Sequence, residues 1–211
     1  MSEFTLALVE HRLGVGGARA LPAVNRVLYV VDGAVKLESA EGAAGLTQNT
    51  AWCSPGALAL ESATGATVLS WELRRGVATP SDGRPLLSAS LELDPDTSYL
   101  MRGDRVDFPV GGVAYRHRHQ GPGIRRLLFG SMRIETQGGS HEVAPGEAWF
   151  ETGPDPVFAA ASSVEESAFA RVMILPVALK GRSSISYVDE ADRDKPKTQR
   201  YQVFIDHPIQ L

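Results

Sequence analysis

The sequence predicts an all-β protein in two similar halves, from its turn residues, its short apolar runs and an internal repeat. Its 21 glycines and 13 prolines are spread throughout and cut the apolar stretches into short runs. That is the layout of many strands joined by turns. No long segment carries the period of an amphipathic helix. Two units recur. The strand-like run 27–33, closing on Gly33, matches 125–130, closing on Gly130. Ser54-Pro55-Gly56 matches Ala144-Pro145-Gly146.

Composition narrows the class. A chain of 211 residues suffices for one large or two small domains with a sizeable core. The hydrophobic share of 43% and charged share of 22% suit an ordinary globular protein. A net charge of −4 gives no reason to expect nucleic acid or a membrane surface as partner. Cys53 is the only cysteine, which excludes an internal disulfide framework and suits a reducing compartment. No apolar run approaches the ~20 residues of a membrane span. Met1-Ser2-Glu3-Phe4 lacks the basic and apolar regions of a signal peptide, so a cytoplasmic protein is expected.

Taken in order, 4–9 alternates loosely, and 26–33 is a β-branched and aromatic run ending in the turn signal Asp32-Gly33. Residues 34–38, 57–61 and 67–73 follow as strands. Residues 75–85 are polar, with two prolines and two glycines, and read as the linker between halves. Strands resume at 86–93, 99–102 and 105–110. This places a first domain at 1–78, a second at 86–178 and a tail at 179–211. The tail is polar and solvated around 180–197. It returns to strand composition at 200–206, which should pair with a sheet edge of this chain or of a neighbour.

The stretch from Tyr115 to Gly130 carries the chemistry. In an extended run 113–119, His117 and His119 share one face, about 7 Å apart along the strand. Arg116 and Arg118 then face solvent. Gln120-Gly121-Pro122-Gly123 is a turn, and 124–129 a returning apolar strand. Gly111, His117, His119 and Gly130 follow the spacing of the first cupin motif, and 139–157, with Pro145-Gly146-Glu147 at its turn, resembles the second. The chain therefore resembles the cupins. The positions of the family's motif-one Glu and motif-two His hold Gly123 and Val157. The resemblance covers about residues 5–178. It implies a bicupin, two tandem jelly-roll (double-stranded β-helix) barrels. In the first half Ala20 and Pro22 stand where the histidines would be, giving a degenerate barrel that binds no metal.

Three further residues enter the candidate site. Glu151 shares strand parity with Trp149, and a carboxylate facing the interior needs a cation or a donor. It either completes a two-histidine, one-carboxylate triad suited to iron(II) or manganese, or is a strand-end Glu bonded to turn amides, as Glu61 in the matching place suggests. Arg125 shares parity with Gly123 and Leu127. It either forks onto a substrate carboxylate or forms a salt bridge at the barrel mouth. His141 reads as an exposed turn residue; His11 and His207 are isolated and expected to be exposed too. Cys53, beside Trp52, reads as packing.

The function expected is a metal-dependent enzyme of dioxygenase type on a small, anionic organic molecule. His117, His119 and Glu151 would hold Fe2+ or Mn2+, with Zn2+ or Ni2+ as other options, and Arg125 and Glu151 would be catalytic. A homodimer is expected. Two alternatives stand beside it: a metal-free isomerase or lyase with a histidine as general base, and a non-catalytic small-molecule binding or sensor protein.

Overall fold

The computed structural model describes residues 1–136 and 138–211. They are almost all strand and turn, with helix confined to two 3-10 turns at Val177–Leu179 and Glu190–Asp192. The chain divides into two compact units. The first is Met1–Tyr99 with His207–Leu211, and the second is Leu100–Asp206.

The first unit is built from β1 (Ser2–Leu13), β2 (Gly17–Leu21), β3 (Asn25–Ser39), β4 (Gly42–Thr47), β5 (Ala51–Ser54), β6 (Leu58–Ser62), β7 (Ala66–Arg75) and β8 (Arg84–Leu93). They hydrogen-bond in the order β2-β6-β3-β7-β1-β8, with β4 and β5 also on β3. The long β3 takes part in both ends of the sheet: its first residues pair with β5 and its last with β4 and β6. Leu28, Val30, Leu37, Leu60 and Val68 fill the core between.

One boundary differs from the sequence reading. Residues 86–93 were expected to open the second domain after a linker at 75–85. Instead β8 pairs antiparallel along β1, from Ser2↔Leu93 to Glu10↔Arg84, and the division falls at Tyr99/Leu100. The polar stretch is a connection between two strands of one sheet. Its composition was right for a turn but carried no information about which sheet the next strand joins.

The second unit consists of two five-stranded sheets. One runs β13 (Gly139–Val143), β12 (Met132–Thr136), β15 (Val157–Ala161), β10 (Val113–His119) and β17 (Ile185–Tyr187). The other runs β14 (Ala148–Glu151), β11 (Gly123–Phe129), β16 (Ser167–Pro176), β9 (Tyr99–Phe108) and β18 (Arg200–Ile209). Apolar side chains of both, among them Ile134, Val157 and Ala159 on one and Phe108, Leu127 and Phe169 on the other, meet in a single core. The tail thus supplies an edge strand to each sheet. Lys197 helps hold it, its ammonium lying 4.3 Å from the Tyr187 ring centroid and 5.4 Å from that of Tyr115.

The repeat seen in sequence is present in the register. Gly33 and Gly130 both have positive φ, +77° and +75°. A Cβ at either would stand 2.2–2.3 Å from a backbone oxygen, of Gly65 and Glu166 respectively, so only glycine fits there. Gly130 follows the end of β11, but Gly33, expected to turn the chain into a separate strand at 34–38, lies inside β3, just past a register shift that bends the strand without ending it. Counting back from each glycine, Leu28 pairs with Ser70 as Arg125 pairs with Arg171, and Arg26 pairs with Glu72 as Gly123 pairs with Met173.

Candidate functional site

A bulge in β10 aims the histidines. Ala114 pairs with Ala159 and His117 with Val157, so the register shifts between them. Without the shift, Ala114 and His117, three residues apart, would face opposite sides; with it, both are buried. His117 and His119 then point inward, while Arg116 and Arg118 are exposed, as their alternation predicts.

Opposite them, the other sheet carries a row of four charges on neighbouring strands: Glu151 on β14, Arg125 on β11, Arg171 on β16 and Asp104 on β9. Arg171 forks onto Asp104, with Nε donating to Oδ1 at 2.7 Å and Nη2 to Oδ2 at 3.1 Å. Arg125 Nη2 lies 2.6 Å from Glu151 Oε2, close but out of line for a hydrogen bond. Arg125 Nη1 donates to the Gly123 carbonyl, and Trp149 Nε1 donates to Glu151 Oε1. Arg125 is therefore in a salt bridge, with Glu151 as its partner, but in the interior rather than at the barrel mouth where one was expected. Arg125 is completely buried, and burial, partly offset by Glu151, lowers its pKa to about 10. Burial acts the same way on Arg171, but the charge and hydrogen bonds of Asp104 outweigh it and leave the pKa raised.

The imidazoles meet edge to face. Their Nε2 atoms are 3.2 Å apart. The Tyr115 carbonyl, 2.7 Å from His117 Nδ1, can only accept, so His117 carries its proton on Nδ1 and presents Nε2 as a lone pair. His119 Nδ1 is 3.2 Å from Ser184 Oγ, and its Nε2 is also 3.3 Å from Arg171 Nη1. Both histidines titrate below the ordinary value. Burial is the main cause for each, reinforced by the two arginines. For His117 the Tyr115 carbonyl and Glu151 work in the opposite direction, whereas His119 lies well below the usual range.

Two spaces adjoin these groups. An inner one of about 20 Å³, with room for about one water, is lined by His117, His119, Glu151, Arg171 and Tyr201 among others. An outer one of about 360 Å³ is lined by Asp104, Arg171, Ser184 and Tyr201, together with Arg102 and Arg182. Arg171 and Tyr201 border both.

The fit to a metal can be tested on these atoms. The 3.2 Å between Nε2 atoms suits two neighbouring ligands, each ~2.0–2.1 Å from one ion. The outer nitrogens also have the kind of partners that metal-bound histidines have. The rest of the set does not fit. Arg171 Nη1 stands at the His119 nitrogen. Glu151 Oε2 is 3.8 Å from that nitrogen and sits against Arg125. A dication would share the space with two buried guanidiniums. Among the described residues no group of three His, Cys, Asp or Glu side chains has metal-holding geometry. Gly123 cannot regain a carboxylate without movement, since a Cβ there would lie 2.5 Å from the Val172 carbonyl oxygen.

No protein-family model matches the sequence, and no curated protein sequence matches it significantly. Solved structures do match. A cupin 2 conserved barrel domain protein from Leptotrichia buccalis superposes with a TM-score of 0.50 at 14% identity, over 82% of this chain and 84% of that one. The fold is that of the cupins. Two enzymes share it. A variant of Bacillus subtilis oxalate decarboxylase superposes with a TM-score of 0.67 at 11% identity, over 91% of this chain and 73% of that one. Salicylate 1,2-dioxygenase from Pseudaminobacter salicylatoxidans does so with 0.58 at 12%, over 94% and 75%. At these identities the likeness is one of fold. No helix in the described residues is long and apolar enough to cross a membrane.

Sequence reasoning brought His117, His119, Glu151 and Arg125 to this cupin interior and missed Arg171, Asp104, Ser184 and Tyr201. A usable signal existed for Arg171, the only charge in the apolar run 167–176. Ser184 and Tyr201 lie in the tail and gave none.

The first unit holds a correction. His11, expected to be exposed, is fully buried, and this half, expected to have no polar site comparable to the histidine pair, holds a buried polar cluster of another composition. His11 Nε2 is 3.0 Å from Ser70 Oγ, and Ser70 Oγ is 3.3 Å from Glu72 Oε1. Arg26, Arg74 and the Ser81 amide all donate to Glu72. Counting from the positions of His117 and His119 found Ala20 and Pro22, but the cluster comes from β1, β3 and β7 instead. Cys53 is partly buried, and desolvation pushes its thiol up to about 11, which makes it a poor nucleophile.

Proposed function

We propose that the protein is a bicupin enzyme that moves a proton on a small carboxylate, using the imidazole pair of its second barrel and no metal ion. One observation carries this reading: the Glu151–Arg125–Arg171–Asp104 row puts fixed guanidiniums where a metal-loaded site would keep its cation. A guanidinium supplies permanent positive charge for an anionic group. His117, with a bare Nε2, is the acid–base group. Tyr115 fixes its tautomer. Arg171, bordering both spaces, is the group that reaches a substrate carboxylate. The first barrel serves as support, its buried charges compensated internally.

A second reading keeps the metal. The 3.2 Å separation of the Nε2 atoms favours it, with His117, His119 and Glu151 holding an ion. It requires both arginines to turn away, and we derive no step from it.

One experiment separates the readings. A panel of 2-oxo acids in D2O, phenylpyruvate among them, is followed by proton NMR for exchange at carbon 3, with EDTA and with added Fe2+, Mn2+, Zn2+ or Ni2+. The proposal expects protein-dependent exchange in EDTA that His117→Ala abolishes. Exchange only with metal, with metal retained after dialysis, establishes the second reading. Neither exchange nor bound metal makes the protein a binder and overturns both.

A further inference from the structure

The hydrogen bonds around His119 run in one direction, from the interior to the outer cavity. Arg171 Nη1 can only donate, so His119 Nε2, 3.3 Å away, is its acceptor. The neutral ring then carries its proton on Nδ1 and donates it to Ser184 Oγ, 3.2 Å away. Both nitrogens of His119 are thereby committed, and the free base of the pair is His117. The Ser184 hydroxyl, as acceptor, keeps its own hydrogen to give, and it makes no other hydrogen bond among the described residues. Ser184 is only 3% exposed, and it lines the outer cavity. A buried donor without an acceptor is costly, and the acceptor for this one has to come from the cavity. The chain starts on a guanidinium fixed by Asp104, so each bond polarises the next and strengthens the last donor.

The cavity's charges indicate what that acceptor is. Three arginines, Arg102, Arg171 and Arg182, stand against two aspartates, Asp104 and Asp206. Arg102 is paired with Asp206 and donates to the Leu179 and Arg182 carbonyls, so it builds the wall. Arg171 is held by Asp104 and contributes its charge from the side. Arg182 is exposed and has no ion-pair partner among the described residues, so it is the cation left for a ligand. Ile185, Val203 and the Tyr201 ring make the rest of the lining apolar, and about 360 Å³ accommodates a single aromatic ring with a carboxylate.

We propose that the outer cavity is a subsite for a monocarboxylate with a flat apolar body, one carboxylate oxygen accepting from the Ser184 hydroxyl and the other facing Arg182. Asp104 and Asp206 repel any incoming anion, and they repel the phosphate dianion more than a single carboxylate. That such a molecule is the substrate rests on the proton-transfer reading; that it binds here does not.

The test is binding to the full-length protein, treated with chelator and dialysed, followed by NMR with benzoate as the probe. Benzoate should bind with a Kd on the order of 1 mM, the scale of so small a ligand. Benzamide, of the same shape without the charge, and inorganic phosphate should bind more weakly. Ser184→Ala should weaken benzoate binding about tenfold, the scale of a hydrogen bond to a charged group. Arg182→Ala should weaken it about two- to fivefold, an effect that high salt erases. 15N NMR of labelled imidazoles adds a readout of the direction of the chain. His119 should be protonated on Nδ1, and benzoate should shift that signal in the wild type but not in Ser184→Ala. A His119 proton on Nε2 overturns the subsite. So does benzoate affinity unchanged in Ser184→Ala, or benzamide or phosphate binding as tightly as benzoate. If benzoate fails to bind while deuterium still enters phenylpyruvate, the subsite falls and proton transfer stands. Benzoate binding that depends on Ser184, with no exchange into any oxo acid, establishes the subsite and removes the proton-transfer reading.

Discussion

Arg171 is the residue that decides how the histidine pair is to be read. Two imidazoles at 3.2 Å would invite a metal ion, but the guanidinium beside His119 is permanently charged and anchored by Asp104. Removing one partner of a buried pair leaves an uncompensated charge, so Asp104→Asn alone should cost about 3–5 kcal/mol of stability in urea melts. Neutralising both partners avoids that cost. The double variant Arg171→Met, Asp104→Asn should unfold within about 1–2 kcal/mol of the wild type. After incubation with zinc and dialysis it should also retain up to one ion per chain where the wild type retains far less. Equal zinc in the two proteins would show that the guanidinium is no barrier. The histidines were legible because alternation with Arg116 and Arg118 separates an inner from an outer face. The row beneath them was not, because it exists only once β14, β11, β16 and β9 are neighbours. No local pattern encodes a pairing such as Arg125↔Arg171, 46 positions apart in sequence.

At the scale of elements, the bulge in β10 and the short β17 do most to shape the site. Many strands were readable from composition, though β2, β4 and β12 were not, and the turn signal Asp32-Gly33 proved to lie inside the continuous β3. The tail was readable only as a strand seeking an edge. That it supplies Ser184 and Tyr201 follows from β17 pairing with β10 and β18 lying beside β9, neither of which leaves a signature in 179–211. β17 has three residues, lies at a sheet edge and is only partly buried, so it should open locally long before the sheet unfolds. Amides of 185–187 should therefore exchange with deuterium faster than that of His119, which donates to the Gly153 carbonyl on the side of β10 away from β17. Lys197→Ala removes a cation lying near both Tyr115 and Tyr187. At ~0.5–1 kcal/mol for an exposed cation–π contact, exchange in 185–187 should accelerate about two- to fivefold. Unchanged exchange there would mean that the strand is held by its backbone bonds alone.

Across the whole molecule, both units bury charge and histidine, and stability should therefore depend on pH. The clearest case is the first unit, with its fully buried His11. Burial lowers His11 from 6.5 to about 4; Arg19 and Arg26 add to this, while Glu72 and the Asp82 backbone oppose it. A histidine whose folded-state pKa is depressed favours the neutral form on folding. Its contribution is full above pH 6.5 and is lost as the unfolded chain, but not the folded one, takes up a proton between 6.5 and 4. Glu72 acts lower. Burial alone would raise its carboxyl, but the Ser81, Arg26 and Arg74 contacts bring it to about 2, so its contribution is full above 4.5 and fades towards 2. Between pH 7 and 4.5, then, the loss belongs to the histidines. The share from His11 is on the order of 2–3 kcal/mol, from a shift of this size at 1.36 kcal/mol per unit. Urea unfolding of His11→Asn at the two pH values should show a lower stability at pH 7 but a pH-dependent loss smaller than the wild type's by about that amount. His117 and His119 remain in both proteins, and their share cancels in the comparison. If the two proteins lose stability equally between pH 7 and 4.5, His11 is protonated in the folded chain. The Ser70–Glu72–Arg26 cluster would then have to be holding an imidazolium rather than a neutral ring.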